Sequence, residues 1–455
     1  MLLICYYDPR GIATVPRNIF YLQEFSSYSI KVINLFEHRN DYESLIINPN
    51  VDLNDFEGVI IHNSISYDPD VIEKFDILIN PNFKSYKGLK IMMKQDENYK
   101  FKKTTKYLIS REFDIVFTCL KDRDINKIYP IKQFKNKVKF IKHLTGYVTP
   151  DLRNIDLSNN SRSRDIGYRG SIQPLDFGRL CTEKRTIGYA VQNIVNKINL
   201  EKNENKIKVD ISSKWEDRLG EENWINFLKG SKATLGCESG ASVFDLFDEL
   251  NERCIEIEKK YGPFNESVEY AESFLNEISD LENIISYGQI SPRHFEAAAT
   301  KTVQILYPGS YSDIFKPGQH YLELKRDHSN IYEIIEFLSD ENKCKEITNK
   351  AYHEIINNKK YWVETFVESF DKEITNSLIE KNLKFKEIII DNKEKFNIAM
   401  LCSHMPEVDP RLEWIAKYSP DETRVIPVGV IQQGLNEEVE EEINKNGVYI
   451  LQKVK

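Results

Sequence analysis

The chain has 455 residues, more than one hydrophobic core accommodates, so two or three domains are expected. A formal net charge of -9 argues against a nucleic-acid partner held through phosphate neutralisation. Seven scattered cysteines without a C-x-x-C pair exclude a disulfide framework or zinc ribbon and imply a reducing, cytoplasmic compartment.

In chain order, residues 1–7 are apolar but short. They lack a basic flank and a small-residue cleavage site, and read as a first strand instead of a signal peptide. Apolar runs recur at 2–7, 31–36, 58–62, 89–93, 114–119 and 138–141, with an amphipathic helix at 17–28. This spacing predicts βα units and a parallel sheet over 1–155. A polar stretch at 156–164 reads as a linker. The alternation restarts at 165, with a helix at 183–198 and strands at 206–211, 233–237, 302–307 and 321–324. A charged, mainly helical insertion is expected at about 243–285, and amphipathic helix follows from 331 to 380. The second domain thus spans 165–380. Residues 395–455 read as a strand, a loop at 403–410, a helix near 411–418 and a strand at 423–428. One βαβ unit cannot bury both faces of its sheet, so this piece is expected to open a further domain. The fold class is α/β, with two Rossmann-like, doubly wound domains facing a cleft and a C-terminal partial Rossmann-like unit. No apolar run reaches spanning length, so membrane association is expected to be at most peripheral.

The segment from Ser291 to Ala299 carries the clearest chemistry. Ser291 suits an N-cap and Pro292 the first helical position, where its missing N–H costs nothing. First-turn amides and Arg293 then offer a phosphate site, and the Glu296 carboxylate suits a vicinal diol such as a ribose. Phosphate plus ribose implies a nucleotide. There is no G-x-G-x-x-G and no G-x-x-x-x-G-K-[ST], so neither a dehydrogenase nor a P-loop enzyme is indicated. Asp68-Pro69-Asp70 reads as a helix cap and Asp122-Arg123-Asp124 as a charged loop, so no metal is expected.

The run ISPRHFEAAATKTVQIL over 290–306, followed by Pro308-Gly309-Ser310-Tyr311 and Pro317-Gly318-Gln319-His320-Tyr321, resembles the donor-binding half of group-1 glycosyltransferases. More narrowly it is similar to the spore-maturation and surface-polysaccharide branch. The resemblance implies the GT-B architecture, with the nucleotide-sugar in the C-terminal domain and the acceptor mostly against the N-terminal one. It implies a UDP- or GDP-type sugar as donor substrate, no tightly bound cofactor, and a glycan, lipid-linked or protein acceptor. On that resemblance Glu296 matches the ribose-binding glutamate, while the upstream glutamate of the family's E-x7-E pattern is replaced by Gly288. Tyr168-Arg169-Gly170-Ser171 matches the strand end facing the diphosphate, and Lys184 or Arg185 a second cation. Cys237-Glu238-Ser239-Gly240 follows a strand and precedes a helix, which brings Glu238 and Ser239 near the donor; the plainer alternative for Glu238 is a helix cap. The segment from 395 resembles a transferase N-terminus and implies a tandem enzyme.

Transfer with inversion needs a general base near the acceptor. Asp96 and His62 follow strands of the first domain at its cleft-facing end. The alternatives are a helix N-cap for Asp96 and a satisfied strand-end histidine for His62. Two other activities fit the same residues. One is a nucleotide-sugar epimerase or hydrolase of GT-B fold. The other is a non-catalytic nucleotide- or glycan-binding module that serves a partner transferase.

Overall fold

Six short apolar runs form one parallel sheet: β1 (Leu2–Cys5), β2 (Lys31–Asn34), β3 (Gly58–Ile61), β4 (Leu89–Met93), β5 (Ile115–Thr118) and β6 (Lys139–Lys142). Their order is β2-β1-β3-β4-β5-β6. All residues of β1, β3, β4 and β5 are buried, as parallel strands covered on both faces require. The computed structural model describes residues 1–8, 14–37, 51–67, 70, 83–134, 137–158, 161–170, 175–201, 206–263, 268–389, 397–402 and 424–429.

A second parallel sheet repeats the plan. It comprises β7 (Arg164–Arg169), β8 (Val209–Ser212), β9 (Ser231–Gly236), β12 (Val303–Leu306) and β13 (Leu322–Glu323), in the order β13-β12-β9-β7-β8. Counted from its own first strand, the second sheet runs 2-1-3-4-5 and the first 2-1-3-4-5-6, so each reverses direction between its first and third strands. That reversal is where open α/β sheets bind ligands, beyond the carboxyl ends of the strands. Two parallel, doubly wound sheets in one compact unit, residues 1–378, constitute the GT-B architecture.

Between β9 and β12 lies an antiparallel hairpin, β10 (Ser239–Val243) with β11 (Glu282–Gln289). The segment after Cys237 therefore enters a strand, contrary to the helix expected from sequence. Gly240, at φ +85°, lets the chain turn directly into pairing with β11. The helices α5 (Leu250–Tyr261) and α6 (Val268–Glu277) connect the hairpin strands; earlier in the chain lie α1 (Thr14–Phe25), α2 (Phe101–Ser110), α3 (Arg179–Glu201) and α4 (Glu221–Lys229). Phe244, Ile285 and Tyr287 of the hairpin region sit in the core of the first sheet, beside Phe101, Tyr129 and Val116.

After α7 (Pro292–Ala299), α8 (Ile331–Ser339) and α9 (Glu341–Ala351), the long helix α10 (Val363–Ile389) returns to the first sheet. Val363, Val367, Phe370 and Ile374 pack with Leu3, Ile91 and Phe117. Asp371 accepts hydrogen bonds from Ser26 Oγ at 2.7 Å and from the Ser27 backbone N–H at 2.6 Å. No described helix is long and apolar enough to cross a membrane.

Residues 379–455 form a separate unit, whose described part holds one parallel pair, β14 (Asn397–Cys402) and β15 (Arg424–Gly429). The loop and helix expected at 403–410 and 411–418 lie outside the described residues.

Candidate active site

A cavity of about 160 Å³ opens at the strand reversal of the second sheet. Tyr168 comes from β7, Leu235 and Gly236 from β9, Leu306 from β12, and Ser291 and Arg293 from the start of α7. The local sequence dictates this helix start. Ser291 has extended backbone (φ -110°, ψ 149°), its hydroxyl accepts from the Arg293 N–H, and Pro292 occupies the first turn. His294 closes a capping box: its Nδ1 accepts the Ser291 N–H at 2.9 Å. Glutamate or glutamine usually does this. Burial pushes the His294 imidazole down to about 4, so it stays neutral and leaves the cavity's positive charge to lysine and arginine.

Two cations face this cavity. Lys184, on α3, has no hydrogen bond or ion pair through its ammonium among the described residues, and Arg293 is exposed with its guanidinium over the Trp224 ring at 5.1 Å. Arg293 Nη1 also donates to the Arg169 carbonyl at 2.5 Å. Ser239 also lines the cavity. Gly170 is required by crowding, since a Cβ there would meet Ser213 Oγ at 2.5 Å and the Lys184 carbonyl at 2.9 Å.

Several expected residues are placed otherwise. The Arg169 guanidinium is turned to Asp210 at 2.8 Å and stacks over Phe227, so its charge is already matched away from the cavity. Glu238 is held by the turn after β12: its Oε1 accepts from the N–H groups of Ser310 (2.9 Å) and Tyr311 (2.7 Å). It thus caps a turn distant in sequence, while burial pushes its carboxyl up. The same carboxylate explains Gly288, because a Cβ at position 288 would overlap Glu238 Oε2.

Glu296 is 6% exposed, and both its oxygens are taken. Arg17 Nη2, at the start of the first domain's α1, donates to Oε1 at 3.2 Å, and Trp224 Nε1 donates to Oε2 at 2.7 Å. A buried carboxylate demands such partners. Trp224 also lines the cavity, so one indole touches both the cavity and Glu296. The open space is smaller than the roughly 300 Å³ at which ligand pockets begin. Sequence reasoning missed both partners. The signal for Arg17 was its place in the first helix after β1, on the cleft-facing end of the sheet.

From the first domain, Asp96 follows β4. It caps no helix, the N-cap of α2 being Lys100. Its carboxylate makes no hydrogen bond among the described residues. Burial raises it above the ordinary aspartate range, while the charges of Lys94 and of Lys184 draw it down. Asp96 therefore lies within the field of the cavity's free lysine. His62 is not brought there. It is 4% exposed and N-caps the one-turn helix Asn63–Ser66, accepting the Ser64 N–H at 3.2 Å. Burial pushes it down to about 3, so it is the satisfied strand-end histidine of the alternative reading. Ser171 and the Arg185 side chain lie outside the described residues, as does Asp68. Asp122-Arg123-Asp124 opens a short helix, Asp122–Ile128, instead of forming a loop. The described residues contain no group of three or more His, Cys, Asp or Glu side chains able to hold a metal ion.

No protein-family model matches the chain, and no curated protein matches it. Among solved structures it is similar to TarM, at 14% identity over 71% of this chain and 55% of that one, with a TM-score of 0.40. It is also similar to the pneumococcal O-GlcNAc transferase GtfA in complex with UDP and GlcNAc (12% identity, 70% and 57% covered, TM-score 0.34). A third is an alpha-glucosyltransferase in complex with UDP and a 13-mer DNA containing an HMU base (11% identity, 82% and 98% covered, TM-score 0.42). The chain spans little more than half the length of TarM and GtfA. Such likeness adds nothing to a functional reading, which rests on the cavity itself.

Proposed function

We propose that the chain is a glycosyltransferase that moves a sugar from a nucleoside diphosphate to a hydroxyl acceptor. The observation that carries this is the cavity at the strand reversal, where an unpaired lysine, an exposed arginine and a capped helix start converge. The diphosphate sits against Lys184 and Arg293. As the sugar–oxygen bond breaks, negative charge grows on the leaving diphosphate, and these groups stabilise the transition state more than the bound donor. Asp96 receives the acceptor's hydroxyl proton. The ribose reaches Glu296 when Trp224 swings away, while Arg17 stays paired with the carboxylate. The donor is a UDP- or GDP-sugar; the acceptor is a glycan, free, lipid-linked or protein-borne. Residues 395–455 then belong to a second transferase domain, and the setting is cytoplasmic.

The test is a fluorescence titration with UDP and GDP. Nucleotide binding is expected to change the emission of Trp224, and the change should vanish in Trp224→Phe although calorimetry still detects binding. Lys184→Ala and Glu296→Ala are each expected to weaken binding at least about tenfold, as the loss of a charge-assisted hydrogen bond implies. Equal affinity in wild type and both variants would overturn the assignment.

A further inference from the structure

A second cavity, of about 770 Å³, shares no lining residue with the first. Its walls combine residues that follow β4 (Asn98, Tyr99), that precede α3 (Asp176, Phe177), and that belong to α6 (Tyr270, Phe274). We propose that this cavity binds a hydroxyl-rich carbohydrate and, on the transferase reading above, seats the acceptor glycan.

Unmet hydrogen-bonding capacity is the first support. Asn98 is 4% exposed, and its Oδ1 has no hydrogen-bond partner among the described residues. Its backbone is fixed meanwhile, the carbonyl accepting from the Asp245 N–H at 3.3 Å. The Oδ1 of Asp176 is likewise buried without a partner, and burial raises that carboxyl. An unsatisfied buried acceptor costs about 1–3 kcal/mol, so two beside one cavity favour an occupant whose entry brings donors within their reach. Hydroxyl groups supply such donors.

The second support is the apolar share of the wall. Tyr99 and Phe177 stack at 6.5 Å, and Tyr270 and Phe274 at 6.4 Å. Sugars combine a C–H face with a hydroxyl rim, which matches aromatic side chains beside a few placed acceptors. Three of the wall's carboxylates are already engaged. Asp70 is paired with Lys100 and Lys103, Asp245 accepts the N–H groups of Glu249 and Leu250, and Asp248 those of Lys102 and Lys103. Asp176 and Glu258 remain, which makes a cation the competing occupant.

Position gives the third. The segment after β4 carries Asp96 into the field of Lys184 and, two residues on, Asn98 and Tyr99 into this cavity. A glycan seated here lies one loop away from the proposed proton acceptor.

The test uses saturation-transfer NMR on the full chain with maltotetraose, isomaltotetraose and chitotetraose, with spermidine as the cationic probe and UDP in parallel. At least one oligosaccharide is expected to bind. Tyr99→Ala and Asn98→Leu should each weaken it at least tenfold and leave UDP affinity unchanged. Asn98→Leu should also raise Tm, because it removes an unpartnered polar atom, and this guards against a variant that merely misfolds. Binding of no oligosaccharide, binding indifferent to both variants, or binding of spermidine alone would each overturn the proposal. Oligosaccharide binding without UDP binding would keep the pocket and overturn the transferase reading.

Discussion

Charge around the first cavity is unevenly matched at the level of single side chains. Arg169, which the sequence resemblance placed at a diphosphate, is neutralised by Asp210, whereas among the described residues Lys184 has no ion pair and the Asp96 carboxylate no hydrogen bond. Unspent charge of this kind belongs to a site that a ligand completes. As a general base Asp96 must be ionised, and burial holds its carboxyl above the ordinary range. Turnover is therefore expected to rise with pH through a midpoint above that range. Lys184→Ala, which removes a charge that favours the carboxylate, should move the midpoint further up. Asp96→Asn is expected to lower kcat about 100- to 10,000-fold, the usual contribution of general base catalysis, with nucleotide affinity unchanged. A kcat/KM profile for the three proteins checks this, and wild-type turnover in Asp96→Asn would remove Asp96 from the mechanism.

Among the elements, the β10–β11 hairpin ties the second sheet's domain to the first sheet. Tyr287 reaches from β11 into the first domain, where its hydroxyl donates to the Gln95 carbonyl at 3.0 Å and accepts the Glu97 N–H at 3.1 Å. Next to it, Gly288 gives its side-chain space to Glu238. Gly288→Ala is expected to destabilise by about 1–3 kcal/mol, the cost of overpacking, and pairing it with Glu238→Ala should return part of that loss. Urea unfolding of the two single variants and the double variant measures the coupling; strict additivity would contradict the shared space. The sheet strands were legible in the sequence because buried parallel strands leave continuous apolar runs, such as Leu2–Cys5 and Ile115–Thr118. The hairpin was not, since its turn depends on the backbone of Gly240 and its strands flank a charged helical excursion. Of the candidate site, the helix start at Ser291 was readable from local capping rules. The Arg17–Glu296 pair, 279 residues apart, was not, because it exists only once two domains meet.

Stability of the whole molecule depends on pH through buried groups with opposite effects. His62, His143 and His294 are held neutral by burial, at about 3, 4 and 4. Each binds a proton more readily when unfolded, so its contribution is full above pH 6.5 and is lost as pH falls toward the folded value. Asp96, Asp176, Glu97 and Glu238 are raised by burial. They bind protons more readily when folded, so their protonation on acidification opposes the loss from the histidines. The net curve therefore says little about any one group, and a substitution that keeps the contact but cannot titrate separates them. His294→Gln is that change, because glutamine at the third helical position closes the same capping box. Relative to the variant, wild type should lose about 2 kcal/mol between pH 7.5 and pH 5, the amount given by moving a histidine from 6.5 unfolded to about 4 folded. Chemical denaturation of both proteins at the two pH values measures the difference. A constant difference would mean that the imidazole titrates in the folded state as it does unfolded, and so gains charge beside the cavity below about pH 6.5. Below that pH the cavity's positive charge would come from three groups in place of Lys184 and Arg293 alone.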